Sequence, residues 1–192
     1  MKRFESELPE GYREAYRIDA KNKKTGVLLN VIALVLTVGT ILILWPLLNM
    51  PDGEEALLLS PLRFLLFAAA LLGTLVLHEL THGAAYKLLT WQKLSFGLTP
   101  LCAYCGLPDL YVTRRTALIA VLAPFVLFSL LLGALTAFLP LWVDRFFAAL
   151  LFAIHFGGCA GDLLVAALLL FRFRSPATLL RDTGPAQIFY VR

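Results

Sequence analysis

Four long apolar runs, at 27–49, 61–89, 117–139 and 141–170, set the pattern of this chain, and polar stretches separate them. A helix rising 1.5 Å per residue needs about 20 apolar residues to cross the hydrocarbon core, so each run predicts one transmembrane helix. Pro124 is expected to interrupt the third. Ahead of the first run, "ELPEGYREAYRIDAKNKK" mixes both charges around Pro9 and Gly11, which predicts a surface segment with a short amphipathic helix on the headgroups. Between the second and third runs, "WQKLSFGLTPLCAYCGLPDLYVTRRT" alternates its side chains among glycines and prolines and predicts short strands and turns. The polar tail carries a turn signal at 182–185 and a last strand at 187–191. The expected fold class is an all-α integral membrane protein of about four transmembrane helices, with a small strand-rich segment between helices two and three. Three regions follow: a cytoplasmic juxtamembrane segment at 1–26, a transmembrane core at 27–171 and a cytoplasmic tail at 172–192.

Composition removes the soluble alternative, because 59% of the 192 residues are hydrophobic and 16% charged, with a mean hydropathy of +0.79. The net charge of +4 would suggest nucleic acid in a soluble protein. Here the basic residues flank the apolar runs, where they meet anionic lipid, so the bilayer is the expected partner and nucleic acid is not. The first 26 residues are polar and the run after them is too long for a secretory signal, so run one is expected to be retained as a helix. Lys21, Lys23 and Lys24, then Lys87, Lys93, Arg114 and Arg115, then Arg172, Arg174 and Arg181 mark three cytoplasmic regions. The other two links hold Asp52, Glu54, Glu55 and Asp144 with only Arg63 and Arg145. Both termini are then expected in the cytoplasm, in a multi-pass protein of a bacterial plasma membrane. Three cysteines form no disulfide framework, and the Cys102/Cys105 pair is read as incidental.

Within "HELTH", His78 and His82 stand four residues apart, which on a helix leaves them about 40° apart in azimuth and about 6 Å apart along the axis. Both imidazoles can reach one metal ion. Glu79 projects about 100° round from His78, which in HExxH metallohydrolases brings its carboxylate to the water at the metal. The competing reading, a histidine turn hydrogen-bonded inside a helix bundle, must explain three ionisable groups at membrane depth, each costing about 2.5–3.5 kcal/mol to insert.

A catalytic zinc usually has three protein ligands, and the fourth run offers Asp162 and His155. Depth favours Asp162, since it lies about as far along its run as His78 does along the second. His155, on the same face but seven residues earlier, is expected about 10 Å further out, lining the cavity or bonding to a residue behind the metal ligands. The small residues Gly157, Gly158, Ala160 and Gly161, with Gly83 to Ala85, are expected to let the second and fourth helices pack closely.

These residues, with "LPEGY", "RRTALIAVLAP", "AGDLL" and "RDTG", make the chain resemble the site-2-protease-like intramembrane zinc metalloproteases, in particular a branch of zincin-type membrane peptidases. The resemblance implies Zn²⁺ as cofactor, His78, His82 and Asp162 as metal ligands, and Glu79 as the catalytic residue. Well-studied members carry the aspartate in an Asn-Pro-x-x-Asp-Gly-like context, whereas "GCAGDLL" lacks that asparagine and the following glycine. The implied function is zinc-dependent hydrolysis of peptide bonds in membrane-protein or peptide substrates near the cytoplasmic side, with Glu79 as general base. Main-chain pairing of a locally unwound substrate to "KLSFGL" or "LYVTR" would hold it extended. Two alternatives stand beside it. One is a membrane-anchored zinc protease of soluble or misfolded polypeptides, a class that takes a later glutamate as third ligand, and no glutamate follows Glu79. The other is a catalytically inactive zinc-binding membrane interaction protein.

Overall fold

The computed structural model describes residues 3–48, 60–98 and 103–192. The acidic link with Asp52, Glu54 and Glu55, and Cys102, lie outside the described residues.

The chain runs β1 (Phe4–Glu5), β2 (Arg13–Asp19), α1 (Lys23–Leu44), α2 (Pro61–Thr90), β3 (Ser95–Leu98), β4 (Ala103–Gly106), β5 (Tyr111–Thr113), α3 (Arg114–Phe138), α4 (Trp142–Gly158), α5 (Ala160–Ala167), β6 (Leu179–Asp182) and β7 (Ala186–Val191). Local chemistry sets the helix starts. Asn22 Oδ1 accepts from the backbone amides of Lys24 and Thr25 at the head of α1, and Ser60 with Pro61 opens α2. Thr113 caps α3 by accepting from Thr116. At the far end of α2, Trp91 turns left-handed (φ 58°) and stops the helix, while the Arg3 guanidinium donates to the carbonyl of Leu89 at 3.1 Å.

Among the described residues three helices, α1 with the short 3₁₀ turn that follows it, α2 and α3, are long and apolar enough to cross a membrane. The pair formed by α4 with α5 and its π-helical extension (Leu168–Arg172) makes a fourth candidate, bent by 47°.

The all-α expectation is overturned by an antiparallel five-stranded sheet in the order β1-β5-β6-β7-β2, beside a separate β3–β4 hairpin. The sheet gathers segments from both ends of the chain and from the link before α3. Val112 sits opposite Leu180, Leu180 opposite Phe189, and Arg17 opposite Ile188. The N-terminal segment expected to carry an amphipathic helix is therefore strand. Its pattern misleads for a physical reason: β2 is an edge strand whose first five residues are all exposed, so no apolar alternation marks it, and backbone pairing to β7 holds it. Pro124 also fails to interrupt its helix, for α3 runs through it.

The main core lies where the sheet meets the ends of α2, α3 and α5. Ile18, Tyr86, Val112, Ala120, Leu180 and Phe189 are among its members. A smaller cluster of Phe128, Leu132 and Leu151 lies further along the helices. The expected close packing of helices two and four through glycine is not what these residues do. Gly157 faces Thr37 and Ala33 of α1, Gly83 faces Phe96 and Cys105 of the hairpin, and Gly158 and Gly161 face open space.

Candidate metal centre

The HELTH segment lies on α2 about two turns before its end, and His82 opens the buried part of that helix. His78 Nε2 and His82 Nε2 stand 3.2 Å apart, as the i, i+4 spacing requires. Asp162 enters from α5. Its Oδ2 lies 3.2 Å from His78 Nε2 and 3.4 Å from His82 Nε2. Asp162 stands in the first turn of α5, just past the 47° bend where the fourth run breaks at Cys159 after the Gly157–Gly158 pair.

A tetrahedral ion held at about 2.0–2.1 Å by nitrogen and oxygen ligands has ligand–ligand edges of about 3.3–3.4 Å. The three observed edges fall within about 0.2 Å of that. Two neutral imidazoles and a carboxylate are also a donor set that zinc accepts, so these residues fit the ion.

A neutral imidazole must carry its proton on the nitrogen that does not face the metal. In His82 that nitrogen is Nδ1, which lies 2.8 Å from the carbonyl oxygen of Ala120 in the buried interior. Helical carbonyls are normally taken by the amide four residues on. For Ala120 that residue is Pro124, which has no N–H. The proline thus frees a carbonyl inside α3, the carbonyl accepts a hydrogen bond from Nδ1–H of His82, and Nε2 is left with its lone pair toward Asp162. The four-residue spacing of Ala120 and Pro124 is visible in the chain, whereas their nearness to His82 arises only in the fold.

Glu79 sits on the cavity wall beside the histidines, with the backbone of Cys105 on β4 near its carboxylate. Gly83, next to His82, permits this approach: a Cβ there would stand 2.7 Å from Phe96 Cζ and 3.3 Å from Cys105 Sγ. Burial, with the carboxylates of Asp182 and Glu79 nearby, pushes the Cys105 thiol up to about 12, so it is protonated and unreactive at neutral pH.

His155 lies closer to the site than its position in a straight helix implies. Its Nε2 is 3.4 Å from His78 Nδ1 and 3.6 Å from Cys159 Sγ, while its Nδ1 is buried with no partner among the described residues.

One turn beyond His82, the wholly buried Tyr86 donates its hydroxyl to Asp182 Oδ2 at 2.8 Å, and the Gly184 amide donates to Oδ1 at 2.9 Å. This ties the β6–β7 turn to the helix that carries the site. The turn was legible in "RDTG"; its anchor in α2 was not. A cavity of about 590 Å³ joins these parts, bounded by His78, Glu79 and Asp162, by Asn30 of α1, by Leu71 of α2 and, near the sheet, by Lys21.

The sequence model of one family, described as "Putative zincin peptidase", matches residues 71–177, which include His78, Glu79, His82 and Asp162. The chain belongs to this zincin peptidase family. Membership supports a zinc metallopeptidase, in agreement with the donor set of the centre. No curated protein and no solved structure matches the chain significantly.

Proposed function

We propose that this zincin-family chain is an intramembrane peptidase that cleaves membrane-protein or peptide substrates near the cytoplasmic face, with Zn²⁺ held by His78, His82 and Asp162. The observation that carries this reading is the convergence of three donor atoms within 3.4 Å of one another, from two helices that belong to candidate membrane spans. When bound, zinc supplies Lewis acidity, which lowers the pKa of a water toward about 7 and polarises a peptide carbonyl.

The chain's own residues do the rest. Glu79 accepts the proton of the attacking water at its carboxylate and returns it to the amine nitrogen as the peptide C–N bond breaks. The Cys105 backbone lies near that carboxylate, on the wall of the cavity. Ala120 keeps the His82 proton on Nδ1 throughout. Among the described residues β3 pairs only with β4, so its other edge can hold a substrate extended by main-chain hydrogen bonds in place of its helical ones. The cavity supports entry from the bilayer, because it is walled by both α1 and α2 while α1 packs on α4 and α5. Lys21 and Lys23 at its sheet end support a cytoplasmic orientation, with both termini on that side.

Membranes holding the native protein or Glu79→Gln are to be compared by proteomics of terminal peptides. Glu79→Gln is expected to keep its zinc and lose cleavage by about 10²–10⁴-fold, leaving substrates uncut. Asp162→Ala is expected to lose zinc from the purified protein. Equal cleavage by native protein and Glu79→Gln, or undiminished zinc in Asp162→Ala, sinks the assignment.

A further inference from the structure

His78 has two ring nitrogens, and the centre described above uses one. The other, Nδ1, faces a second set of donors built in the same way as the first. His155 and Cys159 are four residues apart at the end of α4, as His78 and His82 are on α2, so their donor atoms also share a helix face. One ligand atom from each of His78, His155 and Cys159 lies within 4.8 Å of the other two.

Distances separate a metal position from a hydrogen-bonded cluster. The 3.4 Å contact between His78 Nδ1 and His155 Nε2 is longer than an ordinary N–H hydrogen bond of about 2.7–3.2 Å. With zinc at Nε2 the His78 ring proton sits on Nδ1 and takes the lone pair of His155 Nε2, which leaves the Cys159 thiol, 3.6 Å from that nitrogen, without an acceptor of its own there. Ion ligation has neither problem. With ligand distances of about 2.0–2.1 Å for nitrogen and 2.3 Å for sulfur, tetrahedral edges come to about 3.3–3.4 Å for N···N and about 3.6 Å for N···S. The observed edges are 3.4 Å and 3.6 Å.

We propose that His78 Nδ1, His155 Nε2 and Cys159 Sγ form a second metal position, selective for soft thiophilic cations and exclusive of the zinc centre. Selectivity follows from the thiolate, which prefers soft ions where Asp162 prefers harder ones. Exclusion follows from His78. A neutral imidazole offers one lone pair, so ligation through Nδ1 puts the ring proton on Nε2, where it points at Asp162 and His82. Loading releases the thiol proton to solvent and involves no electron transfer. Cys159 and His155 are both buried, so the position is reached from the cavity that His155 lines. A soft cation thereby switches the peptidase off by withdrawing one zinc ligand.

The test uses the full chain in detergent, with cadmium alone as the probe, in a Cys102→Ser, Cys105→Ser background that leaves one thiol. Cadmium is expected to bind one ion per chain, to raise a thiolate-to-cadmium charge-transfer band in the ultraviolet, and to release one zinc from zinc-loaded protein. Cys159→Ser and His155→Gln are each expected to lose the band while retaining zinc, and Asp162→Asn to lose zinc while retaining the band. The same Cys159→Ser comparison in the otherwise native chain guards against a background that fails to fold. No band, a band that survives Cys159→Ser, or cadmium bound with zinc still in place overturns the proposal. Metal content and a thiolate band are read here, so the result is independent of whether Glu79 drives peptide cleavage.

Discussion

The two ends of the helices are built on different terms. Where α2, α3 and α5 meet the sheet, side chains are enclosed by protein: Val112, Leu180 and Phe189 are wholly buried. Toward the other end, α1 has no buried residue, and in α2 every buried residue lies from His82 onward. Leu42, Leu72 and Leu130 there are more than 60% exposed, as helices are whose apolar surface is meant for lipid. Lipid satisfies apolar surface but offers no hydrogen-bond partners. The sheet, the hairpin and the freed carbonyl of α3 offer many. The polar centre therefore lies at the boundary between the two regimes, close enough to the sheet for Cys105 and Ala120 to serve it and still on helices that can enter a bilayer.

The sharpest break of this comparison is a pair of leucine truncations read by unfolding in detergent. Leu180→Ala at the sheet removes a fully enclosed side chain and is expected to cost about 2–5 kcal/mol. Leu130→Ala, 71% exposed, is expected to cost no more than about 0.5 kcal/mol. Equal costs would mean that the outer ends of the helices are packed by protein after all.

A smaller effect distinguishes the ends by pH. Burial pushes the Asp182 carboxyl from its ordinary 3.8 up to about 6, against the hydrogen bonds from Gly184 and Tyr86 that favour its charged form. The folded chain thus holds a proton that the unfolded chain releases. This contribution is fully present below about pH 4 and is lost as pH rises through 6. Two pH units correspond to about 3 kcal/mol, as an order of magnitude. Asp182→Asn is expected to remove that slope, so the stability of the native protein relative to the variant should fall between pH 4 and 6. A constant difference across that range would show that Asp182 titrates as it does in the unfolded chain.

How much of this was readable in the chain depends on whether the information was local. The i, i+4 histidines and the apolar runs are local patterns, and the helices that carry them follow. Asp162 could be matched by depth along its run. The five-stranded sheet is not legible as a whole, because β1, β5 and β6 are two to four residues long and the β1–β5 and β5–β6 pairings join segments far apart in sequence. A straight helix puts His155 about 10 Å further out than Asp162, yet its Nε2 lies 3.4 Å from His78 Nδ1, so a position along one helix says little about its neighbours across the bundle. Nor did the stripe of glycines name its partner: small residues advertise close approach without saying to what, and Gly157 met α1 while Gly83 met the hairpin.

The smallest expected effect tests whether the packed end tunes the centre as well as enclosing it. Pro124→Ala restores an amide that can bond to the Ala120 carbonyl within α3, in competition with His82 Nδ1. Weakened, that contact no longer fixes the proton on Nδ1, and part of the His82 population offers N–H where zinc needs a lone pair. Zinc affinity, measured by competition with a chromophoric chelator, is expected to fall about tenfold, the low end of what loss of a ligand's outer partner costs. Unfolding stability should not fall in parallel, since the regained helical hydrogen bond offsets the small void left by the proline ring. A variant that loses stability and affinity together would mean that the ring acts as packing; one that keeps full affinity would mean that the carbonyl can serve both donors and that His82 needs no proline to hold its tautomer.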